Sequence, residues 1–437
     1  MSARPPRARV ILAGVSALAL GAIACHSAAP ALPRGEARAR WLAERAPRLA
    51  SEAAAPAGCP EDEDALVALA SERGLAVLAR RAEGRAKRLA AEVPDARPLG
   101  LRLTNVRVDE GFADRAEAAV RFRPERPGTI AAERDVIRRE ADALAAEALD
   151  EARIARAEVR MSLAKARASE ALAAIAEREI AVARAIVASA RSAAGAGAMR
   201  ELELTELELE LGDVEAERAR RIAERDLALT DALARAGVDV RCRVALGTGP
   251  PAGTDADGAA LADEALARHP LVDARWAAEQ GAVAERHLAV AQTWPWLDFV
   301  QVGIERRADP QGDETHVVVG LELELPIFVW GGEATEAADA RLEAERTITR
   351  ATLRAITDEV AAARAGLAAA RARLAAVPAG PAGDRIEAMR RASGHGDADL
   401  RELARLERDA HRLERERIEA RRLVEEAAIR LDAALGR

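Results

Sequence analysis

The sequence predicts a mainly α-helical chain with a small β part, built as two copies of one long-helix unit. Three observations carry this. Ala, Arg, Glu and Leu dominate the 437 residues, with Tyr absent and only four Phe and five Trp, a composition that favours long helices over an aromatic-packed globule. Ile130 to Ala190 contains neither Pro nor Gly, which allows one helix on the order of 90 Å long. And the order of elements runs twice.

The duplication reads as follows. A Gly/Pro/Asp linker, residues 247–258, divides the mature chain into a first unit, 62–246, and a second, 259–437. Each unit opens with a helix (Asp64 to Glu92; Gly258 to Gln292). Each continues with an extended pair, a Pro/Gly breaker, a very long helix, a glycine turn and a returning helix. Leu75 with Leu271, Pro124 with Pro326, and Gly197 with Gly396 mark equivalent places. After the second breaker Leu353, Ile356, Val360, Ala363, Leu367, Ala370, Leu374 and Val377 follow a heptad. Leu403, Leu406, Ala410, Leu413, Ala420, Val424, Ala427, Leu431 and Ala434 do so on the return. Glu201 to Leu211, ELELTELELEL, alternates like a strand, but Leu and Glu are helix formers and its counterpart is helical. It is read as helix.

The second extended pair is the stronger β signal. Arms at about Trp296 to Arg306 and His316 to Leu325 flank a polar turn, Ala308 to Asp313. Val317, Val319, Leu321, Leu323 and Leu325 share one face; Val318, Gly320, Glu322 and Glu324 share the other. Arms of about ten residues with one apolar and one charged face suit a membrane barrel. Trp294, Trp296, Phe328 and Trp330 stand at the hairpin's open end, where rings would form an interface belt with Phe299 beside them. The first pair is poorer. Leu99, Leu101 and Leu103 alternate until Asn105 and Val106 break the phase, and Ala118, Val120 and Phe122 make a short return. Four strands cannot close around an open lumen; twelve from three chains can.

The N-terminus reads as an export segment. Arg4, Arg7 and Arg9 precede an apolar run from Val10 to Ile23, too short to span a bilayer. Residues 1–24 are read as signal peptide and 25–61 as a lipidated or flexible lead-in. Ala22 and Ala24 fit ordinary cleavage; Cys25 after Ala24 also resembles a lipobox cysteine. Of the remaining Cys59 and Cys242, a pair and two separate buried thiols are both open. The net charge of −8 speaks against nucleic-acid binding. Neither H-E-x-x-H, C-x-x-C nor a Walker loop occurs, so no catalytic residue, cofactor or metal site is expected, and the chain is not read as an enzyme.

Three segments resemble the TolC-type outer-membrane efflux family. These are Ala265-Leu-Ala-Arg-His-Pro-Leu-Val-Asp-Ala274, with His269 where Asn is usual; Val319-Gly-Leu-Glu-Leu-Glu-Leu-Pro-Ile-Phe-Val-Trp-Gly-Gly332; and Gly396-Asp-Ala-Asp-Leu-Arg-Glu-Leu403. The "L-x-L-P-I-F" pattern is closest to the heavy-metal efflux branch. The resemblance implies a homotrimer in the outer membrane of a Gram-negative bacterium, with helices joined in a periplasmic α-barrel and strands in a twelve-stranded transmembrane β-barrel. It further implies a periplasmic adaptor and an inner-membrane pump as partners, and outward passage of small molecules or metal ions. Gly195, Gly197, Gly394 and Gly396 become periplasmic tips, with Asp397, Asp399 and Glu402 as aperture candidates. The competing expectation is a lipid-anchored periplasmic coiled-coil structural or adaptor protein without a pore.

Overall fold

The computed structural model describes residues 59–437 except 93–98, 110–111, 125, 198, 248–256, 294–295, 310–311, 325–331 and 379–399. Cys25, the signal segment, Trp294, Phe328, Trp330, Gly394, Gly396, Asp397 and Asp399 therefore lie outside the described residues, as does most of the linker.

The element order is helix, helix, strand, strand, helix, helix, and then the same again. In the first repeat these are α1 (Glu63–Arg73), α2 (Leu75–Glu92), β1 (Leu99–Asp109), β2 (Phe112–Phe122), α3 (Thr129–Gly195) and α4 (Glu201–Arg235). In the second they are α5 (Gly258–Arg268), α6 (Pro270–Gln292), β3 (Trp296–Asp309), β4 (Gly312–Glu324), α7 (Gly332–Ala376) and α8 (Leu400–Ala434). The 67 residues of α3 give a rod on the order of 100 Å. Glu201 to Leu211 is helical, within α4.

Each opening helix, expected as one piece, is two. In the second repeat Pro270 supplies no N–H and its ring drives His269 to extended backbone (φ −71°, ψ 122°), so α5 ends and α6 starts there. In the first, Gly74 takes the same place at φ −49°, ψ 131°. The breaks are where the returning helices end. Gly237 after α4 and Gly436 after α8 both have positive φ (67° and 79°). Val238 N–H then donates to Leu233 O at 2.9 Å and Arg437 N–H to Asp432 O at 3.0 Å, the Schellman closure. A Cβ at Gly237 would meet Arg73 O at 3.1 Å, and one at Gly436 would meet His269 Cα at 2.9 Å. Glycine is required twice for the same close approach.

Two cores sit beside these junctions. Leu66, Ala70, Val159, Leu163, Ala232 and Leu233 make one; Leu261, Ala265, Ile356, Val360, Leu431 and Leu435 make the other. The seam positions Ile356, Val360, Leu367, Ala410, Ala420, Val424, Ala427, Leu431 and Ala434 are all buried, as their heptads require.

The four strands form a single antiparallel sheet in the order β1-β2-β3-β4. All are longer than the expected arms. β3 and β4 remain paired to Asp309–Gly312, consuming the polar turn. β2 reaches eleven residues because it lies between two partners, β1 and β3. The phase break at Asn105 and Val106 coincides with a register shift between Thr104 and Arg107.

Candidate functional site: a two-faced sheet and a helical junction

The register places apolar residues in rows across all four strands. Leu101, Val120, Val302 and Val319 make one row; Leu99, Phe122, Val300 and Leu321 make the next. On the described strands this face is open: Val317 is 74% exposed and Leu321 62%. So much apolar surface on one sheet face is a surface for burial elsewhere. No helix among the described residues is long and apolar enough to cross a membrane.

The opposite face is close-packed in its middle. Phe299, Gln301 and Ala119 are buried, and a Cβ at Gly303 would stand 2.6 Å from that of Ala119. The Arg121 guanidinium lies 3.6 Å from the Phe299 ring centre and donates to Gln301 Oε1 at 3.3 Å. A bulge explains how Phe299 arrives there. Leu297 pairs with Leu323 but Phe299 pairs with Glu322, leaving Asp298 as the extra residue. The slip keeps Leu297 in register with the leucines and turns Phe299 away from them. Phe299 is thus not one of the belt rings. Trp296 pairs with Glu324, on the charged face, and its indole N–H donates to Pro124 O at 2.7 Å. It fastens β3 to the breaker of the first repeat.

At the far end of the helices, α3 stops at Gly195, Gly197 turns the chain at φ 74°, and α4 begins at Glu201. Open space surrounds both glycines. Glu402 falls in the first turn of α8.

Cys59 and Cys242 are joined by a disulfide with a Cα–Cα separation of 5.3 Å. Beside it Asp62 and Ala245 form a parallel bridge, and Asp62 caps α1 by accepting from Ala65 N–H at 2.8 Å. The bond closes the first repeat on itself.

The repeats meet around α3. Arg167 pairs with Glu63 of α1 and with Glu425 of α8, and Glu63 also accepts from Gly247 N–H at 2.8 Å. Burial pushes the Glu425 carboxyl up, and the Arg167 charge opposes this without cancelling it. Nearer the junction Arg153 is 6% exposed. Its Nε lies 2.8 Å from Asp150 Oδ1, and its Nη1 donates to Ala433 O at 2.7 Å. His269, 1% exposed, caps α6 through Nδ1, which accepts from Leu271 N–H at 3.3 Å. Burial, helped by the Arg153 charge, holds its pKa below the ordinary histidine value; Asp150 pulls weakly the other way. The capping role explains how His fills a position where the resembling family has Asn: both offer an acceptor to the first turn. The Asp150–Arg153 node escapes the sequence reading. In a chain with 32% charged residues, an i,i+3 pair carries no mark that it will be buried.

The chain thus joins long helices to a two-faced sheet with one face apolar and open. Residues 261–437 match the model of the family described as "Outer membrane efflux protein". No curated protein matches the chain by sequence. Solved structures match it in fold. A membrane protein from Pseudomonas aeruginosa superposes with a TM-score of 0.66 at 16% identity, over 86% of this chain and 91% of that one. The outer membrane protein VceC from Vibrio cholerae gives 0.66 at 16%, over 86% and 96%. CusC, described through its folding and transmembrane channel formation, gives 0.65 at 15%, over 86% and 92%. The TolC-type resemblance thus has two supports, a family-model match over residues 261–437 and a likeness of fold over most of the chain.

Proposed function

We propose that the chain is one of three subunits of an outer-membrane efflux channel. The observation that carries this is an incompleteness repeated in both layers. The sheet has two edge strands, β1 and β4, without strand partners among the described residues, and a broad exposed apolar face. Open edges and bare apolar surface are resolved together by closing a barrel in lipid. Three four-stranded sheets give twelve strands, enough for a lumen. Leu321 and Leu323 then face lipid, and Glu322 and Glu324 face water.

On this reading the chain performs no catalysis. The α3–α4 turn at Gly195 and Gly197, and the Gly394–Gly396 turn with Asp397, Asp399 and Glu402, form the periplasmic tips. They meet an adaptor that links the channel to an inner-membrane pump. Trp294, Phe328 and Trp330 mark the inner interface of the membrane, Trp296 being turned instead to the charged face, and lipidation of Cys25 adds an anchor. The cargo is small molecules or metal ions moving outward.

Conductance in planar bilayers tests the reading. Purified protein is expected to give discrete pore steps. A well-folded protein that gives none, and that washes off membranes in carbonate, would overturn it in favour of a pore-less periplasmic coiled coil.

A further inference from the structure

The internal duplication holds a template for the contact between copies. Within one chain α3 packs against α1, α2 and α4 of its own repeat and also against α6 and α8 of the other. Its counterpart α7 packs closely against α5, α6 and α8, all from its own repeat. The flank of α7 that corresponds to the inter-repeat flank of α3 is exposed.

The equivalence can be set residue by residue. Val159 and Val360 are buried in matching cores, and Ala155 packs against the first core where Ile356 lies in the second, which fixes a spacing of about 201 along these two helices. On that spacing Arg153 corresponds to Arg354. On the returning helices, Gly237 and Gly436 set the spacing, so the carbonyl that Arg153 grips, Ala433 O, corresponds to Ala234 O. Arg153 is 6% exposed. The Arg354 side chain is 85% exposed, with Asp358 at 3.8 Å as its carboxylate neighbour. Ala234 is exposed where Ala433 is half-buried. The same guanidinium and the same helix end occur twice, joined in one case and apart in the other.

The receiving surface has the apolar character the fit requires. The free flank of α2 carries Leu75 (78% exposed), Leu78 and Leu89 in helical phase. These large apolar side chains lie beside the α1–α2 break and the end of α4, as α6 lies beside the α5–α6 break and the end of α8.

We infer that α7 of one copy docks on α2 and α4 of a second copy of this chain, with Arg354 donating to Ala234 O of that copy. The contact is head-to-tail, since the two surfaces differ, and it generates a closed ring by repeating the α3 arrangement. The guanidinium also meets the negative end of the α4 dipole, as Arg153 meets that of α8. This rests on the channel reading, which calls for a ring, and adds which surfaces form it.

Cross-linking tests it. Arg354→Cys and Ala234→Cys are placed in separate copies, co-expressed, and treated in membranes with a short bis-maleimide. Covalent dimers are expected from the mixture, covalent trimers from the double variant, and neither from a single variant alone or the unaltered protein. Arg354→Glu is expected to lower the detergent-stable oligomer about tenfold, with Arg354→Lys recovering much of it. A stable, conducting oligomer that does not cross-link and ignores Arg354→Glu overturns this docking and leaves the channel intact. A monomer without pore steps overturns both.

Discussion

The two repeats share one plan but not one environment. The first is enclosed: α3 buries twenty residues, including Asp150, Arg153 and Glu179, and a disulfide ties its two ends. The second is open: α7 buries four, Leu342, Ile356, Val360 and Leu367, all on one side. α3 has neighbours on both flanks and α7 on one, so identical helix chemistry gives different burial. On the channel reading, what distinguishes them is position in an assembly that one chain does not complete. In the sheet the same asymmetry appears as β2 and β3 paired on both sides, with β1 and β4 at the edges.

The largest expected effect lies where the open surface is widest. Leu321→Asp with Leu323→Asp puts two charges on the exposed apolar face. In hydrocarbon each charge is costly, though less so than the roughly 2–4 kcal/mol that an Arg or Lys costs at the midplane. Outer-membrane assembly should be lost, read by fractionation and by the heat-stable oligomer on gels. Glu322→Ala, on the other face of the same strand, should assemble normally. Equal behaviour of the two variants would break the assignment of faces.

Next comes the enclosed repeat. Arg153→Ala strands Asp150 in a buried site beside His269. Removing one partner of a buried pair costs about 3–5 kcal/mol. Its counterpart Arg354→Ala, on an exposed side chain, should leave the stability of the separated chain within about 1 kcal/mol. Urea unfolding in detergent compares them. Similar losses would mean that exposure in one chain misreports their surroundings.

The disulfide is the device found in one repeat alone. It closes a segment of 183 residues. A bond across so long a loop stabilises by about 3–5 kcal/mol in the chain-entropy account. Cys59→Ser with Cys242→Ser should lower the unfolding midpoint, and a reductant should do the same to the unaltered protein but not to the variant.

These contrasts also show what the sequence made legible. The heptads announced the seams, because an apolar stripe at coiled-coil spacing has few other uses. Asn105–Val106 announced its register shift, since a lost alternation must be absorbed somewhere. Asp298 did not, because Leu297 and Phe299 are both apolar and either could have faced out. The breaks at Gly74 and His269 were missed because the helical pattern resumes at once on the far side. Whether Arg153 or Arg354 would be buried was invisible, since it depends on contacts between repeats.

The smallest effect concerns the junction where the repeats differ in kind, His269 standing where the first has Gly74. Its lowered pKa means that the unfolded chain takes up a proton at a pH where the folded chain does not. Stability is therefore full above the ordinary histidine pKa of about 6.5 and declines as pH falls below it. His269→Asn keeps an oxygen acceptor for Leu271 N–H and removes the titration. Its unfolding midpoint should lose that share of the decline below about pH 6.5, with any offset staying constant. His269→Ala removes the cap, costing about 1 kcal/mol at neutral pH, and also flattens the acid slope. An unchanged slope in both variants would show that the acid sensitivity comes from carboxylates held below their ordinary pKa, such as Glu264 beside Arg437, and that the histidine serves only as a cap.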